Sequence, residues 1–183
     1  MNNNQHVSFR EEIYSLCGTI IKIGSEAPDF ELISFDDGNS RWDVLTKDNF
    51  INSQYPILIS ITTTIDMPIG CIQTMTFNER AETFVENAVL INVTSDLPFA
   101  INRFKELNQI TNLICCSDYK GNFGREWGLL IEDAMVLPRA VIVLDKNFVV
   151  QYMEAVEDLT KEPDYDSAFE ALDKLLLEQE SKT

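Results

Sequence analysis

Cys71 lies in the part of this sequence that is best suited to chemistry, residues 63–79, which read TTIDMPIGCIQTMTFNE. An apolar run that predicts a buried strand precedes this segment, and a helix is predicted to begin at Cys71. The unpaired N–H groups and the positive dipole end of a helix N-terminus stabilise a thiolate, which is the reactive form of cysteine. The segment therefore has the layout of a redox-active thiol site.

A cysteine that reduces peroxides needs more than a helix N-terminus. A hydroxyl must donate a hydrogen bond to the peroxide, and a cation, usually Arg, must polarise the O–O bond and favour the thiolate. A second thiol in a C-x-x-C arrangement is absent, because Cys71 is followed by Ile72, Gln73 and Thr74. Any thiol chemistry at this site therefore differs from that of two-cysteine redox motifs.

The elements that must position Cys71 form an α/β pattern. The continuously apolar runs at 57–62 and 88–93 are typical of strands in a sheet that helices cover on both faces. Strand and helix alternate, and an antiparallel hairpin and a last helix follow, which is the order of a thioredoxin fold with an N-terminal β-hairpin extension. The predicted strands are 7–9, 13–16, 19–23, 30–35, 41–44, 57–62, 88–93, 113–116, 140–144 and 148–153, and the predicted helices are 71–86, 98–107 and 165–178. Residues 36–40 are predicted to form a turn between two strands.

Composition limits the function classes. Thirty acidic side chains against fourteen basic ones give a net charge of -16, which disfavours binding to nucleic acid and to anionic lipid. No apolar run is long enough to span a bilayer, and the N-terminus is polar, so neither a membrane segment nor a signal peptide is expected. We expect residues 1–183 to form a single cytoplasmic domain with frayed ends.

The other thiols and the single histidine give no second site. Cys115 and Cys116 are adjacent on a predicted strand, so their side chains should point to opposite faces. Cys17 is expected to be a buried or half-buried apolar residue, and His6 falls in the frayed N-terminus. With so few cysteines we expect free thiols in a reducing compartment, and we expect no metal and no cofactor.

Across nearly its whole length the chain resembles the bacterial thiol peroxidases, an atypical two-cysteine branch of the peroxiredoxins. The resemblance implies a thioredoxin-like fold of the peroxiredoxin type, an antioxidant thiol peroxidase activity, and a homodimer formed through the face beside the active site. The segments that carry the resemblance are 24–30, 64–66, 77–79, 95–100, 103–104, 117–119, 123–124, 139–145 and 162–166.

The catalytic motif of that family is altered in this chain. The family pattern reads approximately P-S-I-D-T-P-V-C-x-x-Q-T-R-x-F-N, and without gaps it places its proline at Thr63, its threonine at Met67 and its peroxidatic cysteine at Gly70. Cys71 falls one position later, about 100° further round a helix. A shifted register that moves Cys71 into the catalytic place would need one more residue in the turn and one fewer in the helix, and the matching flanks argue against it.

Two further family positions lie outside this segment. The resolving cysteine of the family corresponds to Lys105, whereas the active-site arginine persists as Arg139. Arg139 could be a retained active-site cation or a structural residue that pairs with a carboxylate near Asp66, and we favour the structural role.

Helical periodicity separates Cys71 from the buried face of its helix. One stripe is mostly apolar and should face the core, and the stripe that contains Cys71 is more polar, so Cys71 should be partly exposed. The first stripe contains Gly70, Thr74, Phe77, Ala81 and Phe84, and the second contains Cys71, Met75, Asn78 and Glu82.

Two functional hypotheses follow from the sequence. In the first, the hydroperoxide chemistry has been lost and the chain is a homodimeric pseudoenzyme that binds a partner, with a shallow pocket above Arg139. In the second, Cys71 reduces hydroperoxides as a displaced peroxidatic cysteine, and its sulfenic acid is resolved by an external thiol reductant or by another cysteine of the chain.

Overall fold

The strands of the main sheet come from both halves of the chain. The computed structural model describes residues 6–36 and 41–181. The main sheet has the order β10-β9-β5-β6-β7-β3-β4, and a smaller sheet has the order β1-β2-β8. The strands are β1 (His6–Phe9), β2 (Glu12–Cys17), β3 (Glu31–Asp36), β4 (Arg41–Thr46), β5 (Ile57–Thr62), β6 (Val89–Thr94), β7 (Ile114–Ser117), β8 (Leu130–Ile131), β9 (Ala140–Leu144) and β10 (Val150–Ala155). The helices are α1 (Pro68–Ala81), α2 (Pro98–Asn108), α3 (Asn122–Glu126) and α4 (Tyr165–Glu180), with a 3-10 turn at Lys47–Phe50.

The central strands β5, β6 and β7 are parallel, and the outer strands pair antiparallel with them. Helices α1 and α2 are the crossover connections between these parallel strands, so both helices begin at the same edge of the sheet. This arrangement confirms the α/β fold and the N-terminal hairpin that the sequence predicts, and it places the start of α1 at the expected reactive edge.

The two faces of the sheet carry separate apolar cores. On one face, β-strand side chains pack with α1, α2 and α4, for example through Phe77 and Phe169, whose ring centroids are 5.5 Å apart. On the other face, the core contains Phe123 and Trp127. Cys115 belongs to the first core and Cys116 to the second, which confirms that these neighbours point to opposite faces.

The predictions for residues 19–23 and for His6 were wrong. Residues 19–23 form no strand: Ile21 is buried while Ile23 is 64% exposed, and the glycines that flank the segment, Gly18 and Gly24, both have a φ of 86°. A run of β-branched residues is not sufficient for a strand, because its backbone groups also need a partner strand. His6 was expected in a frayed end but begins β1, where it pairs with Ser15.

Helix α1 begins three residues earlier and ends five residues earlier than predicted. After Ala81 the chain makes tight turns, in which the N–H of Phe84 bonds the carbonyl of Ala81 and the N–H of Asn87 bonds that of Phe84. These turns return the chain to β6 while the ring of Phe84 still packs on Phe169. The last helix was predicted well, since Asp164 caps α4 by accepting a hydrogen bond from the N–H of Ser167.

The sequence did not predict α3, β8 or the 3-10 turn, all of which are too short to show a clear period. The predicted turn at residues 36–40 lies mostly outside the described residues, which include only Asp36. Within residues 6–36 and 41–181, no helix combines the length and the apolar character that a membrane span requires.

Candidate active site

The start of α1 is fixed by an acidic residue from the next connection of the sheet. Strand β5 ends at Thr62, and Met67 precedes the helix in an extended conformation without a capping side chain. Between them, the Thr64 hydroxyl donates to Asp96 Oδ1 at 2.7 Å and the N–H of Ile65 donates to Asp96 Oδ2 at 2.8 Å. Pro68 has the fixed φ that suits the first position of a helix. The loop before α1 is therefore held in one conformation.

Gly70 is in contact with this loop. A Cβ added at Gly70 would lie 1.9 Å from the Thr64 carbonyl oxygen and 2.9 Å from Thr62 Oγ1. Carbon and oxygen atoms that are not bonded do not approach so closely, and the nearest atom belongs to the backbone rather than to a flexible side chain. Position 70 consequently has no room for a side chain unless the backbone of the loop moves.

Cys71, the fourth residue of α1, lies about 100° further round the helix than Gly70 and is half-buried. Its Sγ lies 3.7 Å from Sδ of Met75, which is 45% exposed. Gly70 and Phe77 are buried, whereas Cys71 and Met75 are at least partly exposed, which confirms the two helical stripes that the sequence predicts.

Arg139 directly precedes β9, beside the end of β5, and is fully buried. Its Nη1 donates to Gln73 Oε1 at 2.6 Å and to Thr62 Oγ1 at 3.2 Å, and its Nη2 donates to the carbonyl of Leu159 at 3.1 Å. These partners differ from the carboxylate near Asp66 that we considered. Among the described residues, the Arg139 Nε has no hydrogen-bond partner.

Burial lowers the pKa of the Arg139 guanidinium, while electrostatic interactions with Tyr165 and Glu162 act in the opposite direction. An arginine side chain nevertheless keeps its charge in proteins. Arg139 is therefore a buried cation whose hydrogen-bonding groups mostly face neutral oxygens.

Gln73 completes this network, and sequence reasoning did not single it out. It is fully buried in α1, and its Nε2 donates to Ser60 Oγ and to the carbonyl of Ile61, both at 3.0 Å. Gln73 thus joins α1, β5 and Arg139. Its position three residues after Gly70 and four before Phe77 is the signal that could have found it, because a polar residue within a buried stripe requires hydrogen-bond partners.

Comparisons with known proteins agree with this architecture. The redoxin family profile matches residues 22–169. The thiol peroxidase of Staphylococcus saprophyticus is 37% identical over 166 residues, which cover 90% of this chain and 96% of that protein. This chain belongs to the bacterial thiol peroxidase family.

Further relatives support the same family. The thiol peroxidase of Oceanobacillus iheyensis is 32% identical over 171 residues, covering 92% of this chain and 99% of that protein. Among solved structures, a peroxiredoxin-like protein from Aquifex aeolicus superposes with a TM-score of 0.81 at 28% identity, over 93% of this chain and 96% of that one. The thioredoxin-like fold of the peroxiredoxin type is therefore established.

Lys105, where we expect the family's resolving cysteine to align, is a half-buried residue of α2. Its positive charge acts on Cys115, but burial dominates and raises the pKa of the Cys115 thiol to about 12. Burial also raises the pKa of Cys116. Both remain protonated thiols at neutral pH, and neither is poised to attack a sulfenic acid.

Thr63 and Met67, which we align with two other positions of the family motif, both lie in the wall of a cavity of about 160 Å³. The other wall residues come mainly from the N-terminal hairpin and from the segments around β8 and after β10; they are Phe9, Tyr14, Ile131, Ala134, Val136 and Leu159. Arg139 bonds the backbone of Leu159, so the guanidinium contacts part of this wall. Arg139 itself is not one of the wall residues of this mostly apolar cavity, so the expected pocket above Arg139 stays a prediction.

Proposed function

We propose that this chain does not reduce hydroperoxides by the route of the thiol peroxidases and serves instead as a binding member of that family. The observation that carries this proposal is the contact at Gly70, where a Cβ would lie 1.9 Å from the Thr64 carbonyl oxygen. A peroxidatic cysteine at that position would need space for both Cβ and Sγ. The Asp96 hydrogen bonds that hold the loop oppose the movement that would create this space.

The groups that would assist a peroxide also favour this proposal. Met67 replaces a hydroxyl with a thioether, which is at most a weak acceptor and cannot donate to a peroxide oxygen. Arg139 is fully buried, and its hydrogen bonds go to Thr62, Gln73 and Leu159. A cation that polarises an O–O bond must instead direct an N–H towards the substrate.

The alternative function is peroxide reduction by Cys71. Its half-buried position near the N-terminus of α1 favours this reading, because a thiolate there gains from the helix dipole. In that reaction the Cys71 thiolate attacks the peroxide, an alcohol or water leaves, and an external thiol must reduce the resulting sulfenic acid.

Sulfenic-acid trapping distinguishes the two functions. Reduced protein is treated with hydrogen peroxide in the presence of dimedone, and the labelled peptide is identified by mass spectrometry. Reduced protein is appropriate because we propose that a chain with free thiols works in a reducing compartment such as the cytoplasm. We expect no fast, stoichiometric label on Cys71.

Two variants serve as controls for this experiment. Cys17 is also half-buried and lies 3.7 Å from Arg125 Nη1, so Cys17→Ser accounts for slow labelling of an accessible thiol. Complete labelling of Cys71 within seconds at micromolar peroxide, lost in Cys71→Ser and kept in Cys17→Ser, would overturn the binding proposal in favour of the peroxidase.

We propose further that the partner is a second copy of this chain. Leu97 and Phe99, at the start of α2, are 57% and 61% exposed, and Trp42 on the edge strand β4 is 45% exposed. The Phe99 ring centroid lies 4.6 Å from that of Trp42, so these side chains form one aromatic patch. The patch adjoins Asp96, which holds the loop before α1. A contiguous exposed apolar patch indicates an interaction site, and the family resemblance implies a dimer through the face beside the active site.

Light scattering tests the dimer. We expect the wild-type protein to have the mass of a dimer and Phe99→Glu to have the mass of a monomer, because a charge would be buried in the interface. Leu107→Glu is the matched control, since Leu107 is 75% exposed near the other end of the same helix. A monomeric wild-type protein, or the same mass for both variants, would contradict the dimer.

A further inference from the structure

Two sulfur atoms lie close together on the partly exposed side of α1. Sγ of Cys71 is 3.7 Å from Sδ of Met75, which follows one helical turn later. Cys71 is half-buried and Met75 is 45% exposed, so the pair lies at the surface of the protein. Because both residues belong to one helix, its backbone holds them in this arrangement. The pair is therefore a preformed set of two soft metal ligands.

The distance between the sulfur atoms suits a single metal ion between them. Metal–sulfur bonds of about 2.3 Å that meet at a tetrahedral angle place two sulfur atoms about 3.8 Å apart. The observed separation of 3.7 Å matches that value, so a metal ion needs no change in the helix. In the absence of metal, the contact is a weak hydrogen bond that the thiol donates to the thioether.

The chemistry of the two ligands selects the metal. Thiolate and thioether are soft ligands, which favour Cu(I). Within residues 6–36 and 41–181, no group of three or more His, Cys, Asp or Glu side chains is placed to hold a metal, so this helix does not offer the ligands that Zn²⁺ or Ca²⁺ requires. The net charge of -16 attracts cations, and Cu(I) on a thiolate adds no net charge to a half-buried position.

The other thiols are less suited to a metal cation. Sγ of Cys17 lies 3.7 Å from the Arg125 guanidinium, whose positive charge disfavours a second cation. Cys115 and Cys116 are buried, and burial raises the pKa of the Cys115 thiol to about 12. A thiol must lose its proton to bind a metal, so Cys71 is the favoured ligand.

We propose that Cys71 and Met75 bind one Cu(I) ion at the surface of α1. The S–H bond of Cys71 breaks and its proton passes to solvent, while Cys71 Sγ and Met75 Sδ each donate an electron pair to the metal. No group is oxidised or reduced in this step. An external thiol supplies a further ligand where the metal requires one. This proposal goes beyond the proposed function and does not depend on it, since binding involves no peroxide.

Transfer of Cu(I) from a coloured chelator tests the site. Reduced full-length protein is titrated, without oxygen, into the Cu(I) complex of ferrozine, and the fall in absorbance reports the metal that the protein removes. We expect one Cu(I) ion per chain, and Cys71→Ser should abolish the transfer. Met75→Leu, which nearly conserves the side-chain volume, should raise the Kd at least about tenfold, because a direct ligand is lost.

Met135→Leu is the matched control, since Met135 is 47% exposed and should not affect the Kd. Cys17→Ser should also leave the Kd unchanged. In protein with isotope-labelled methionine methyl groups, Cu(I) should shift the NMR signal of Met75 and not that of Met135.

Three outcomes would each overturn the proposal: no removal of Cu(I) from ferrozine, the same Kd for Met75→Leu as for the wild-type protein, or an unshifted Met75 methyl signal. The second outcome would mean that the Cys71 thiol binds metal without the thioether. These measurements contain no peroxide, whereas the proposed function fails on a peroxide-dependent label, so the two failures are distinguishable.

Discussion

The starts of α1 and α2 are alike in local sequence and opposite in environment. Each helix follows a parallel strand of the main sheet, each has proline at its first position, and each is preceded by an extended apolar residue, Met67 or Leu97, without a capping side chain. The third helical position is Gly70 in α1 and Ala100 in α2. Gly70 is buried against the backbone of Thr64, whereas Ala100 is only half-buried.

This difference shows that two helix starts with similar local sequence can differ in which side chains they bury and which they expose. In α1 the first turns are used for internal contacts, through Gly70 and the buried Gln73. In α2 the corresponding turn exposes Leu97 and Phe99. The start of α1 is therefore packed against the loop before it, whereas the start of α2 exposes an apolar surface, although the two local sequences are similar.

Exchanging glycine and alanine at the third helical position should have the largest effect on the free energy of unfolding. In an isolated helix alanine is better than glycine by about 1 kcal/mol. At Gly70 the order should reverse, and Gly70→Ala should lower the free energy of unfolding by about 3 kcal/mol, because the new Cβ meets the Thr64 carbonyl. Urea denaturation measures the change.

The control for this exchange is Ala100→Gly in α2, which should cost only about 1 kcal/mol, the ordinary helix propensity difference. Cys71→Ala, next to Gly70 but half-buried, should change stability by about 0.5 kcal/mol or less. A stabilising Gly70→Ala would show that the loop before α1 adapts easily, and the argument against a peroxidatic residue at this position would fail.

Removing Gln73 should have the next largest effect. Gln73→Leu deletes the acceptor for Arg139 Nη1 and the donor to Ser60 and Ile61 within the buried network. We expect a loss of about 2 kcal/mol in the free energy of unfolding, because a buried guanidinium loses a partner.

The Gln73→Leu and Arg139→Met double variant tests the coupling. Once the charge of Arg139 is removed, the loss of Gln73 should cost less. The double variant should therefore lose about 1 kcal/mol less free energy of unfolding than the two single variants lose together. Strict additivity would mean that the 2.6 Å contact between Gln73 and Arg139 contributes little to stability.

The smallest expected effect is at Thr63, in the loop that leads to α1. Thr63→Val removes a buried hydroxyl without a partner and keeps the shape of the side chain, so the free energy of unfolding should rise by about 1 kcal/mol. Thermal denaturation would show a raised Tm. Thr94→Val is the contrasting control, since the Thr94 hydroxyl donates to Asp96 and its loss should destabilise the protein.

Much of the fold could be predicted from residue patterns, and the failures have physical causes. The buried strands β5 and β6 and the capped helix α4 were found because each has a strong local signal. Residues 19–23 also have a strand-like composition but remain irregular, because no strand within residues 6–36 and 41–181 pairs with them. The end of α1 was missed because it depends on the return of the chain to β6.

The candidate site was predicted less completely than the fold. The family pattern and the helical period placed Gly70 on the buried stripe and Cys71 on the more exposed one, and the observed burial agrees. Gln73 and the hydrogen bonds of Arg139 were not foreseen, because Gln73 and Arg139 are 66 residues apart in the chain and meet only when α1 packs beside β9.

The sequence by itself determined the α/β pattern, the family, and the presence of glycine at position 70 with a thiol at Cys71 one residue later. These properties depend on residue identity and on local periodicity. Only the tertiary structure decided that the Thr64 carbonyl lies against Gly70 and that Arg139 is buried among Thr62, Gln73 and Leu159. It also decided that the Thr63 hydroxyl has no hydrogen-bond partner within the described part of the chain. Those properties depend on packing between distant segments, which fixes distances that no local pattern contains.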